Sequence, residues 1–195
     1  MKIKGVNKIG ILCMAFILVY MFLAGCAPSL KDTTVQGIDA AISVKLLGEL
    51  KKDDTKMTLD PTMQKYVKGQ QLYRVDDSFL SVVIFTMTVD TQAFVGVSGQ
   101  DVAVNMAGPT NSYVKAVLSS LKAKNVKQTN ENLEIGGKQV VARTITFTSD
   151  DKNMAIKVVA FQDKDAYWMI VPVYQTGDKD VEKAADDLVK SIAVK

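Results

Sequence analysis

The chain contains no histidine. That excludes Ser-His-Asp and Cys-His nucleophiles, His-bearing zinc or haem sites, and imidazole proton transfer near neutral pH. Acid–base or metal chemistry would have to come from carboxylates, lysine or tyrosine. Four doublets are the first candidates: Asp53-Asp54, Asp76-Asp77, Asp150-Asp151 and Asp186-Asp187. Adjacent carboxylates can hold a hard cation or divide acid and base roles. None has the glycine and closing glutamate of a calcium-binding helix–loop–helix. Asp53-Asp54 and Asp150-Asp151 fall between strand patterns, and Asp186-Asp187 falls on the polar face of a helical one. The expectation for them is solvated turns and helix surface.

Ser-x-x-Lys occurs three times, at Ser112–Lys115, Ser119–Lys122 and Ser149–Lys152. On a helix this spacing lets a lysine approach a serine nucleophile, as in penicillin-binding enzymes, but the accompanying Ser-Asp-Asn and Lys-Thr-Gly elements are missing. Chance accounts for such matches in a lysine-rich chain. Gly96-Val97-Ser98-Gly99 fits neither dinucleotide nor P-loop spacing. Trp168 and the tyrosines Tyr66, Tyr73, Tyr113, Tyr167 and Tyr174 could line a pocket or a partner surface, though Trp168 in mid-strand reads as core. Lys51-Lys52 and the lysines of 122–127 read as solvated faces rather than headgroup contacts. No cofactor, metal site or catalytic residue is expected.

These residues belong to a chain of 195, 48% hydrophobic and 23% charged, a composition suited to one packed domain. Its net charge of +3 has a local origin, since Lys2, Lys4 and Lys8 are the only charged residues before position 26. Without them the 24 basic residues fall to 21, equal to the 21 acidic ones. A neutral body has no surplus charge for nucleic acid.

After Lys8 an apolar run leads to Leu23-Ala24-Gly25-Cys26. A basic start, an apolar stretch and small residues form a secretory signal peptide, here 1–25. The apolar run 9–24 is shorter than the roughly 20 residues that span a bilayer. Leu23-Ala24-Gly25-Cys26 resembles the lipobox of bacterial lipoproteins. The resemblance implies that Cys26 carries a diacylglyceryl thioether, becomes the new N-terminus by cleavage, and is then N-acylated. Two or three acyl chains, at about 0.8 kcal/mol per buried methylene, hold a protein stably on a membrane. Cys13 would leave with the leader, so no thiol or disulfide would remain. Residues 26–34 read as the lipidated cysteine and a tether, whose last eight residues reach at most about 28 Å.

Residues 35–195 show no repeat or second linker and read as a single domain. Val181, Ala184, Ala185, Leu188, Val189, Ile192 and Ala193 lie on one face of a closing helix. Asp178, Asp180 and Glu182 sit at its positive end. A second helix is expected over 109–124, with Pro109 near its first turn and Asn125 as C-cap. Residues 81–89 read as a strand. Residues 126–135 and 138–148 form a hairpin through Gly136-Gly137, and 154–161 and 166–174 form another through 162–165. The second pair is apolar on both faces, as in mid-sheet strands. Weaker strand patterns occupy 42–47 and 71–75, and 91–108 is ambiguous.

This order predicts an α+β domain, a mainly antiparallel sheet flanked by helices. Three pieces of the tail resemble the PsbP-like group: Gly136-Gly137-Lys138, Tyr167-Trp168-Met169-Ile170-Val171, and Lys190-Ser191-Ile192. That group includes extrinsic photosystem proteins, Ran-release factors and small bacterial lipoproteins. The resemblance, over about 36–195, implies a PsbP-like α/β/α sandwich and brings no catalytic residues. The functional expectation is a lipid-anchored extracytoplasmic module that binds or assembles at the cell envelope. Its partners would be the membrane through its anchor and an envelope protein. The alternatives are a small-molecule or metal-ion binding lipoprotein and, less favoured, a His-free hydrolase.

Overall fold

The computed structural model describes residues 29–195 except 58, 60 and 99–101. The expected signal peptide, the expected lipobox residues Leu23, Ala24, Gly25 and Cys26, and Gly99 lie outside the described residues. The strands are β1 (Lys31–Gln36), β2 (Ala41–Leu46), β3 (Lys51–Asp53), β4 (Val67–Val75), β5 (Leu80–Val89), β6 (Lys124–Ile135), β7 (Lys138–Ser149), β8 (Lys152–Asp163), β9 (Ala166–Gln175) and β10 (Ala193–Val194). The helices are α1 (Pro61–Gln64), α2 (Thr91–Ser98), α3 (Val102–Ser120) and α4 (Lys179–Lys190).

Seven strands form an antiparallel sheet in the order β3-β4-β5-β9-β8-β7-β6. Its middle strand, β9, is buried without a break from Ala166 to Tyr174. Both its faces therefore need apolar cover. On one face Trp168, Ile170 and Tyr174 pack with Val181, Ala185 and Leu188 of α4 and with Ile42, Val44 and Leu46 of β2. That layer is completed by the small sheet β1-β2-β10. On the other face Tyr167, Met169, Val171 and Val173 pack with Met63 of α1, Phe94 of α2 and Val114 of α3. The domain is α+β with a mainly antiparallel sheet, as the residue patterns predict, and its layers number three.

The turns follow from residues that tolerate positive φ. Gly136 and Gly137, at φ 58° and 74°, close β6–β7. Asp150 and Asp151, at 46° and 60°, close β7–β8 as the same kind of two-residue turn, for which aspartate is among the better non-glycine residues. Helix α4 is capped by Asp178, whose carboxylate accepts the backbone N–H groups of Asp180 at 2.9 Å and Val181 at 3.3 Å.

Four features depart from expectation. Lys31, Asp32, Thr33 and Thr34, read as tether, are strand β1 paired with β2. Backbone pairing, which side-chain pattern does not report, orders this polar segment. Second, α3 begins at Val102, so Pro109 lies inside the helix rather than in its first turn. Third, Asn125 belongs to β6 and is not the helix cap. Lys122, at φ 48°, ends α3, with Ala123 N–H bonded to Leu118 O at 2.9 Å and Lys122 N–H to Ser119 O at 3.1 Å. Fourth, Ala193 is exposed in β10 rather than on the helix face.

Gly37 is fixed by close approach. A Cβ there would stand 2.8 Å from the Ala40 carbonyl and 3.3 Å from the Trp168 ring. Gly37→Ala is therefore expected to destabilise the fold by about 2 kcal/mol through overpacking, measured as a lower urea midpoint. An unchanged midpoint would show that the turn yields freely.

Candidate functional site

The doublets resolve into structural parts. Asp53 forms an ion pair with Arg74 on the neighbouring strand β4 and accepts the Thr55 N–H at 2.7 Å. Burial raises the Asp53 carboxyl, but Thr55 and Arg74 outweigh it and its pKa is lowered. Asp77 accepts the Phe79 N–H at 2.9 Å in the β4–β5 turn. Asp150-Asp151 is the β7–β8 turn, and Asp187 pairs with Lys183 one helical turn away. The hydrogen bond from Lys183 and its charge hold the Asp187 carboxyl below its ordinary pKa.

Of the serine–lysine pairs, Ser112 and Lys115 are both exposed on α3, and Lys122 has left the helix. Ser149 Oγ donates to Leu121 O at 2.6 Å. Gly96 lies within α2. Lys51 and Lys52 are exposed on β3. Trp168 is completely buried, as expected of core. Tyr167 is buried too, its hydroxyl 2.7 Å from that of Thr110, which registers α3 on the sheet. Tyr73 donates to Gln36 O at 2.5 Å, and Tyr66 meets Phe94 edge-on at 5.6 Å. Among the described residues, no three carboxylates or other ligating side chains gather to hold a metal.

One charged group is missing from the sequence reading. Lys157, in the apolar strand β8, is only 5% exposed. Its ammonium pairs with Asp186 of α4 and stands 3.7 Å from Glu131 of β6. Glu131 is also 3.8 Å from Lys190 of α4. The cluster ties α4 to two strands beneath it. It faces a gap in the β8–β9 ladder, where pairing stops after Ile156 and resumes at Val159. Opposite that gap sits Pro172, which has no N–H to give. A lysine interrupting an apolar run was the available signal.

Two recesses flank α4. One, about 610 Å³, lies between α4 and β2 and is lined by Leu30, Lys45, Lys183, Asp187, Lys190 and Ser191. Ser191 Oγ accepts the Lys45 N–H at 2.8 Å and donates to Leu188 O at 2.6 Å, so its hydroxyl is already engaged. The other, about 460 Å³, crosses the ends of β8 and β9 beside the start of α4. Phe79, Met154, Val173, Tyr174 and Val181 give it apolar walls, with Gln175 among them. The Gln175 Oε1 is buried with no hydrogen-bond partner among the described residues. Burial, reinforced by the charges of Asp186 and Glu182, pushes Tyr174 up to about 12. Ser78, Lys152, Thr176 and Asp178 line it as well, so apolar walls meet polar groups there.

No protein-family model matches the chain, and no curated protein matches it by sequence. Solved structures match it in outline. The Saccharomyces cerevisiae Ran-binding protein Mog1p has TM-score 0.43 and 10% identity, over 84% of this chain and 95% of Mog1p. LpqN of Mycobacterium tuberculosis, involved in cell envelope biogenesis, has TM-score 0.38 and 12% identity, over 85% and 91%. The Pseudomonas aeruginosa protein PA94, a protein of unknown function, has TM-score 0.35 and 11% identity, over 82% and 94%.

Two predictions follow from the charges. Asp186→Asn leaves the Lys157 ammonium with only the longer contact to Glu131, and is expected to destabilise by about 2 kcal/mol. Lys157→Met, which removes the buried charge altogether, should do less harm. Urea unfolding of both variants decides the order; a larger loss from Lys157→Met would refute it. Tyr113, also raised to about 12 by burial, and Tyr174 are both held protonated by the fold. Their contribution is complete below the unfolded value near 10 and fades as pH rises from 10 towards 12. Burial also raises Tyr73 and Tyr167, so absorbance titration of the phenols should show late tyrosines, with a falling melting temperature over that interval; uniform titration near 10 would contradict it.

Proposed function

We propose that this protein is a lipid-anchored, extracytoplasmic, non-enzymatic module that binds or assembles at the cell envelope. The observation that carries the reading is Leu23-Ala24-Gly25-Cys26 directly after a basic start and an apolar run. Strand β1 begins at Lys31, five residues after Cys26. Such a link reaches at most about 18 Å, so acyl chains on Cys26 would hold the folded domain against the headgroups. Among the described residues no helix is long and apolar enough to cross a membrane. The non-enzymatic part is supported by the roles of the described carboxylates: Asp53, Asp77, Asp150-Asp151 and Asp187 shape turns, a strand pair and helix surface.

The recess beside Gln175 supports a second reading, a lipoprotein that binds a small, largely apolar molecule. A thermal-shift screen of such compounds separates the two, because a ligand of the native state raises the melting temperature. A shift lost in Met154→Asp, at a half-buried wall of the recess, with the unliganded melting temperature kept, would favour the ligand-binding reading.

Anchoring is tested by growing cells with a labelled fatty acid. The protein should take up label and fractionate with membranes, and Cys26→Ser should lose both properties. An unlabelled protein, or mass spectrometry finding the leader still attached, would overturn the proposal.

A further inference from the structure

The two ends of the large sheet are built differently. Strand β3, at one edge, has three residues, two of them lysines. A short charged edge of that kind resists pairing with other chains. Strand β6, at the other edge, has twelve residues, exposed on both faces from Lys124 to Asn132. It pairs with β7 alone, and among the described residues no strand covers its outer side. Two of the four exposed large hydrophobics among the described residues, Val126 and Val141, are on this same hairpin.

The sequence of β6 is complementary to itself when turned around. We propose that β6 pairs antiparallel with β6 of a second copy about a twofold axis at Thr129, joining two seven-stranded sheets into one. In that register Lys127 faces Glu131 of the second copy, and Glu131 faces Lys127 of the second copy. Gln128 faces Asn130 in the same reciprocal way. Opposite charges directly across an antiparallel pair stabilise it, and like charges oppose it. A symmetric interface needs such reciprocity, because each contact occurs twice. The lysines that keep foreign strands off an exposed edge thus become the partners of the glutamates in its own copy. A register shift between Lys124 and Lys127 bends the strand there, so regular pairing begins at Lys127. This inference goes beyond the proposed function and stands whether or not Cys26 is acylated.

The test uses the full-length chain in detergent, with sedimentation as the readout. Lys127→Glu should weaken self-association about tenfold, since it turns two attractive pairs into repulsive ones. Glu131→Lys should do the same. Mixing the two variants in equal amounts should restore association, because each then meets its opposite charge. A cysteine at the axis adds a second arm: residues facing each other there stand about 4.5–5.5 Å apart at Cα, within disulfide range. Thr129→Cys should cross-link to itself under mild oxidation, and Thr146→Cys, exposed on β7, should not; the parent chain controls for Cys13 and Cys26. Glu131 also neighbours Lys157, so if Glu131→Lys fails to fold, the deciding variant is Lys127→Glu/Thr129→Cys, which should cross-link less than Thr129→Cys. A monomeric parent with no Thr129→Cys dimer would overturn self-pairing. So would association untouched by Lys127→Glu, or a Thr129→Cys cross-link in cells to a different protein.

Discussion

Nine consecutive buried residues in β9, from Ala166 to Tyr174, leave the middle of the large sheet with no face that can meet water. Antiparallel sheets often cover one side only. Here the burial of alternate residues, Trp168 and Ile170 to one side and Tyr167 and Met169 to the other, demands two separate coats. The closing helix and the small three-stranded sheet supply one; α1, α2 and α3 supply the other. Even the polar segment Lys31–Gln36 is drawn in, as β1 beside β2 in that small sheet.

Two polar groups inside this frame are fastened by partners from other elements. Lys157 lies beneath α4 with Asp186 and Glu131 around it, and Tyr167 shares its hydrogen bond with Thr110. Breaking such an arrangement from one side leaves a group without its partner, which costs more than never having built it. The same accounting explains the carboxylate doublets. Asp53 anchors a strand edge to Arg74, and Asp150-Asp151 bends the chain where glycine would otherwise be needed. Open to other molecules among the described residues are two recesses beside α4 and the long outer edge at β6.

Much of this was readable in the sequence because it depends on neighbours along the chain. The face made by Val181, Ala184, Ala185, Leu188 and Val189 needs only helical periodicity, and all five are buried. Gly136-Gly137 announces its turn because few residues accept positive φ. The two-sided apolar character of β8 and β9 placed them in mid-sheet. The antiparallel α+β class followed from the order of such pieces, and the doublets could be read as structural from where they fell between them.

Only the tertiary structure could decide the rest, because it depends on residues distant in sequence. Strand β1 looks like a polar linker until β2 pairs with it. Pro172 argues against a central strand until the ladder gap opposite it is seen. Lys157 acquires Asp186 and Glu131 from 29 and 26 positions away. Side-chain pattern records which surfaces must leave water; it does not record which backbone or charge will meet them there.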